Sequence, residues 1–188
     1  MQNIIVDSRM TEEEAFLINP LMPCPAAILT KQRVLDLRYW SFDGKMHAGQ
    51  LVVDGDLADD VQKIFAELLT LRFLIAKMIP IAAPQYAWDD ECSMQDDNTS
   101  AFNHRTIAGT DRLSWHAYGR AIDINPRRNP YIKDGVIAPE KAVYDPRVPG
   151  TITHNAPIVA LFKKYGFVWG GEWEDRQDYQ HFEKPLAL

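Results

Sequence analysis

The stretch "SWHAYGRAIDINP", residues 114–126, sets His116 and Asp123 seven residues apart with Gly119 between them. In a regular strand that separation covers about 23 Å, and an odd count turns the two side chains to opposite faces. In a helix the same spacing leaves them about 10 Å apart along the axis. Neither backbone brings both side chains to one atom. A reversal at Gly119 followed by a short strand does, because glycine tolerates the backbone angles of a turn. In "RAIDI", residues 120–124, Ile122 and Ile124 then share one face and Ala121 and Asp123 the other. The isoleucines face a core, the small Ala121 leaves room beside Asp123, and Ser114 hydrogen-bonds locally to hold the turn. On spacing alone a plainer reading stays open, with His116 a surface loop residue and Asp123 a partner for Arg120, because short motifs often match by chance.

Further along, "WGGEWEDRQDYQHFE", residues 169–183, places His181 three residues after Asp178. A hydrolytic zinc site uses three protein ligands drawn from His and carboxylates and leaves a fourth position for water. His116, Asp123 and His181 supply such a set. Two neutral imidazoles and one carboxylate leave the site with net positive charge, which favours hydroxide over water on the metal. A general base must then stand within hydrogen-bond reach of that water without binding the ion. Asp178 is the first candidate for the base; Glu172, Glu174 and Asp175 are its neighbours and rivals. A cation facing the substrate would bind a terminal carboxylate or stabilise a developing oxyanion. Arg105, in "TSAFNHR", is the first choice, with Arg112, Arg120, Arg127 and Arg128 as alternatives. Trp115, Tyr118, Trp169 and Trp173 are candidates for cleft walls or, equally, ordinary packed aromatics. His47, His104 and His154 are read as surface or hydrogen-bonded residues rather than ligands.

The rest of the chain sets the frame. With 188 residues and 46% apolar content, it has enough material for one domain with a core. The net charge is −6 and the 20 Lys and Arg are scattered, so no basic stripe exists to hold nucleic acid. The longest mostly apolar run, residues 73–83, is interrupted by Lys77 and falls short of the ~20 residues a membrane span needs, so a soluble protein is expected. Residues 1–16 lack the features of a secretory signal. Cys24 and Cys92 fit no metal pattern and are either a disulfide, in an oxidising compartment, or two unrelated thiols. Strands are expected at residues 33–42 and 49–53 around a turn at Asp43. A helix is expected over 57–73, with Val61, Ile64, Phe65, Leu68 and Leu69 on one face and Asp56 as cap. A second runs over 157–165, with Pro157 in its first turn and Gly166 as its stop. Short strands follow at 167–169 and 179–183. Residues 125–155 hold five prolines and read as a long loop walling a site.

With these residues assembled, the sequence resembles the zinc D-alanyl-D-alanine peptidases and their L-alanyl-D-glutamate endopeptidase relatives, which act on peptidoglycan stem peptides. Their pattern, S-x-H-x-x-G-x-A-x-D followed by D or E-x-x-H, is met by Ser114, His116, Gly119, Ala121, Asp123, Asp178 and His181. The resemblance covers about residues 97–183 of a single domain, 1–188. It implies zinc held by His116, Asp123 and His181, Asp178 as catalytic acid and base, and Arg105 as the substrate-binding arginine upstream of the metal histidine. The family's usual S-G-Y-R-S context is replaced here by "AFNHR". Ser114, Tyr118 and Trp169 join Arg105 as expected substrate contacts. The fold implied is α+β, a central, mostly antiparallel sheet flanked by helices, often called the Hedgehog/DD-peptidase fold. A D,D-carboxypeptidase is the simplest activity, an L-alanyl-D-glutamate endopeptidase or a non-catalytic zinc-bearing binding domain the alternatives. The implied compartment is the periplasm or cell exterior, which favours a Cys24–Cys92 disulfide.

Overall fold

A computed structural model describes residues 4–17, 19–20 and 22–186. The chain opens with a two-residue strand, β1 (Ile5–Val6), and two one-turn helices, α1 (Glu12–Ala15) and α2 (Ala26–Leu29). The longest pairing follows: β2 (Gln32–Trp40) and β3 (Met46–Asp54) run antiparallel, and β1 joins the far edge of β3 in parallel. Strand β2 alternates as a half-buried strand must, with Leu35, Leu37 and Tyr39 buried and Asp36 and Arg38 exposed. Strand β3 is covered on both faces, because Leu51 and Val53 enter one hydrophobic cluster and Val52 enters another. Residues 51–53 of the strand therefore read as a continuous apolar run.

The long helix α3 (Ala58–Thr70) buries Val61, Ile64, Phe65 and Leu68, while Leu69 is half-buried. Asp56 does not cap it. Instead a 3-10 turn, Gly55–Leu57, comes first, and its cap is Asp54, whose carboxylate accepts from the Asp56 N–H at 3.0 Å. The helix also ends at Thr70 rather than at Phe73.

Beyond it come β4 (Lys77–Met78), α4 (Asp90–Gln95) and β5 (Asn98–Thr99), with β4 and β5 parallel. A 3-10 turn, Trp115–Tyr118, leads into β6 (Ala121–Asp123). The stretch 125–155 is not structureless: it contains the hairpin β7 (Tyr131–Lys133) and β8 (Val136–Ala138). Helix α5 (Pro157–Lys164) starts on its proline and is followed by Gly166 at φ +82°. Three short strands finish the chain, β9 (Val168–Trp169), β10 (Gln177–Asp178) and β11 (His181–Glu183).

The α+β character holds, but the expected single central sheet does not. Among the described residues there are separate small sheets ordered β1-β3-β2, β10-β7-β8, β6-β11-β9 and β4-β5. Most pairings are antiparallel, as expected; the division arises because the late strands are only two or three residues long. The chain breaks at a turn, residues 179–180, so that β10 pairs with β7 while β11 pairs with β6 and β9. The main hydrophobic cluster, including Phe65, Ile122, Ile124, Phe162 and Phe182, lies beneath β6 and β11 and packs α3 and α5 against them. No helix among the described residues is long and apolar enough to cross a membrane.

Candidate metal centre

The turn at Gly119 is real, with φ +68°. A Cβ there would stand 2.0 Å from Gln32 Oε1 and 2.6 Å from the Asp54 nitrogen, so both backbone angle and space demand glycine. The Asp54 N–H donates to the Gly119 carbonyl at 2.9 Å, fastening the turn to the end of β3. On the other side of the turn, Ser114 Oγ accepts from the His116 N–H at 3.3 Å. Strand β6 then presents Ala121 and Asp123 to one face while Ile122 and Ile124, both 1% exposed or less, enter the core. Antiparallel pairing sets His181 of β11 directly opposite Asp123.

The three side chains converge. His116 Nε2 lies 3.2 Å from His181 Nδ1 and 3.2 Å from Asp123 Oδ2, and His181 Nδ1 lies 2.9 Å from Asp123 Oδ1. All three residues are buried, and their donor atoms lie within 4.8 Å of one another. Donors held at about 2.0–2.2 Å from a tetrahedral ion stand about 3.3–3.6 Å apart, so this N, N, O set fits a zinc ion after slight expansion. His116 Nδ1 donates to the Ala101 carbonyl at 2.6 Å, which leaves the Nε2 lone pair directed into the cluster. His181 Nε2 lies 2.9 Å from Glu183 Oε2.

Burial opposes charge on Asp123, yet the His116 and His181 imidazoles beside it prevail and hold its carboxyl well below the usual range. Burial likewise opposes a charged His181, but Asp123 and Glu183 push its pKa up to about 10. In the metal-free protein an ion must therefore displace a proton to bind. Asp178 differs from Asp123. Burial pushes its pKa up to about 6 against the charges of His181 and His116, and its Oδ1 is sealed from solvent without a hydrogen-bond partner. Its rivals are turned outward: Glu172 is paired with Lys163 at 2.6 Å, Asp175 with Arg176 at 2.6 Å, and Glu174 is exposed.

Arg105 is tied to the turn before β6 by its carbonyl, which accepts from the Ser114 N–H at 3.1 Å, and its side chain is engaged. Its Nη2 is 3.0 Å from Asp90 Oδ2, while its Nε is buried without a partner. Asn103 Nδ2 donates to the other Asp90 oxygen at 3.1 Å, and the Asn103 N–H donates to the His116 carbonyl at 3.0 Å. Of the other arginines, Arg120 is buried against Asp54 at 3.1 Å, and Arg128 pairs with Asp97 and stacks on Phe42. Trp169 lies in the core at 1% exposure, its Nε1 donating to the Tyr179 carbonyl, and cannot wall a cleft. Trp173 packs against the centre instead, with its ring 5.4 Å from that of His181 and Arg176 stacked on it at 4.2 Å. Ser114 is buried in its capping role, and Tyr118 is half-buried against Trp115.

The remaining histidines stay outside the cluster. His47 bonds Asp7 at 2.8 Å, His104 donates from Nδ1 to the Met22 carbonyl at 3.2 Å, and His154 packs on Trp169. Both cysteines are free thiols, Cys24 half-buried and Cys92 exposed, so the expected disulfide is absent. Glu183 and Asp90 escaped the sequence reading. Glu183 had a usable signal: it follows His181 by two residues in a strand, which puts both side chains on one face.

Comparison with known proteins reaches the same residues. The segment 108–184 matches the family described as D-alanyl-D-alanine carboxypeptidase. The chain is also 34% identical over 73 residues to the peptidoglycan L-alanyl-D-glutamate endopeptidase CwlK of Bacillus subtilis, an overlap spanning 37% of this chain and 38% of that protein. No solved structure matches the chain. Arg105 falls just before the matched segment, whereas His116, Asp123, Asp178 and His181 fall inside it. The residues that build the centre thus lie in a segment, 108–184, that is similar to the family described as D-alanyl-D-alanine carboxypeptidase.

Proposed function

We propose that this protein is a zinc-dependent peptidase of peptidoglycan stem peptides, acting in the periplasm or outside the cell, most simply as a D-alanyl-D-alanine carboxypeptidase. The whole chain, 1–188, forms one catalytic unit of Hedgehog/DD-peptidase type, with its working part in residues 97–183. The observation that carries this reading is the convergence of His116, Asp123 and His181 on one buried point, with Asp178, whose Oδ1 has no hydrogen-bond partner, within electrostatic reach.

His116 Nε2, Asp123 and His181 Nδ1 would hold the ion. When bound, zinc supplies a Lewis acid that polarises the scissile carbonyl and acidifies the attacking water. Asp178 takes the proton from that water and passes it to the leaving amine, for which a carboxyl with a raised pKa is suited. In a carboxypeptidase Arg105 would have to exchange Asp90 for the substrate carboxylate or the developing oxyanion, and Trp173 walls the cleft beside His181. A base beside the donor set speaks against a non-catalytic binding domain, because a structural zinc needs none.

Two observations favour a second activity, cleavage between L-Ala and D-Glu. The curated relative is named for that bond, and Arg105 is already paired with Asp90 rather than free to capture a terminal carboxylate. One experiment separates these readings. Zinc is quantified in wild type and in His181→Ala, and each protein is offered a stem pentapeptide ending in D-Ala-D-Ala and an L-Ala-D-Glu substrate, with products followed by mass. The expected result is about one zinc per wild-type chain, little in the variant, and cleavage of one substrate. Zinc without cleavage of either would put the binding domain ahead of the peptidase.

A further inference from the structure

We propose that Glu183 is the positioning residue that commits His181 to bind the metal through Nδ1; this rests on the metal-centre reading above. The two histidines of the centre turn opposite ring nitrogens to the shared point, Nε2 from His116 and Nδ1 from His181. Each choice needs a partner for the other nitrogen, since a neutral imidazole carries one proton and one lone pair. For His116 that partner is the Ala101 carbonyl at Nδ1. For His181 it is Glu183, whose Oε2 lies 2.9 Å from Nε2.

A carboxylate accepts and cannot donate, so Glu183 places the His181 proton on Nε2. The alternative is close at hand. Asp123 Oδ1 sits 2.9 Å from Nδ1, and in a neutral ring it would draw the proton there and turn the lone pair away from the centre. Glu183 opposes that tautomer. It is well placed to do so: β11 is flanked by β6 and β9, Glu183 pairs with Ala121 and Val168, and the Lys184 N–H donates to the Arg120 carbonyl at 2.9 Å. Its side chain is only 17% exposed, which shields the bond from water.

Zinc affinity, measured by chelator competition in wild type, Glu183→Gln and Glu183→Ala, is the first test. The amide oxygen of Gln still accepts from Nε2–H, so Gln is expected to stay within a few-fold of wild type while Ala loses about 10- to 100-fold. The second readout is the imidazole 15N spectrum of the zinc-loaded proteins. Wild type and Gln should show His181 metallated at Nδ1 and protonated at Nε2, a signature that general loosening of the strand would not produce. Wild-type affinity in Ala overturns the proposal, and so does metallation at Nε2 in wild type, which is read even if Ala fails to fold. A wild type that binds no zinc instead removes the metal-centre reading itself, and this inference with it.

Discussion

At the scale of single residues, Asp178 separates chemistry from metal retention. Asp178→Asn keeps shape and removes the base, so hydrolysis should fall by about 10²–10⁴ while zinc per chain stays at the wild-type level. The same variant has a signature in stability. An ordinary aspartate titrates near 3.9 in an unfolded chain, whereas burial pushes Asp178 up to about 6 in the fold. A raised folded value favours the protonated form, so the carboxyl's contribution is fully present below about pH 4 and is lost as pH rises through about 6. In zinc-free protein at pH 8, Asn should therefore be more stable than Asp by about 3 kcal/mol, shrinking toward zero at pH 4. Thermal midpoints across that range, with chelator present, check it; equal midpoints at pH 8 would remove the buried-carboxylate account. The convergence of His116, Asp123 and His181 was legible in the sequence because residue type and spacing both constrain them. Asp90 was not, because its contact with Arg105 depends on how α4 docks, and nothing local records that.

At the scale of elements, the turn before β6 decides whether the site exists. Gly119→Ala meets both a left-handed backbone and the side chain of Gln32, so it should cost at least about 2 kcal/mol and lower zinc retention together with stability. Denaturant unfolding with and without zinc measures both. The alternation of Ile122 and Ile124 against Ala121 and Asp123 could be read directly, because a strand's period is two and one face is core. The 3-10 turn that carries His116 could not, since its signal is only a serine cap and a glycine stop. Asp56 was misread as the cap of the long helix for a related reason: α3 follows Leu57 with no side-chain cap, and Asp54, at the end of β3, caps the 3-10 turn before it. The hairpin within residues 125–155 was hidden by prolines that mark its surroundings.

Across the whole molecule, the sequence announced the α+β class and the antiparallel preference but not the division into small sheets. Pairing between distant short strands leaves little trace in either strand. The cysteines make a test of packing at this scale: thiol titration of unfolded, unreduced protein should find both Cys24 and Cys92 free, and a value near zero would mean the N-terminal region is arranged otherwise. The separation of β10 from β11 has a further effect. All three donor residues lie on or beside one sheet, whereas Asp178 belongs to the sheet of the β7–β8 hairpin and is reached through Tyr179, on which Tyr144 stacks at 3.8 Å. Tyr144→Leu should accordingly slow turnover by about ten- to a hundred-fold through a displaced base while leaving zinc content untouched, measurable as kcat beside metal analysis. Drift in the hairpin and its neighbouring loop can thus move the Asp178 carboxylate without disturbing the His116, Asp123 and His181 set, giving selection two handles where a single continuous sheet would offer one.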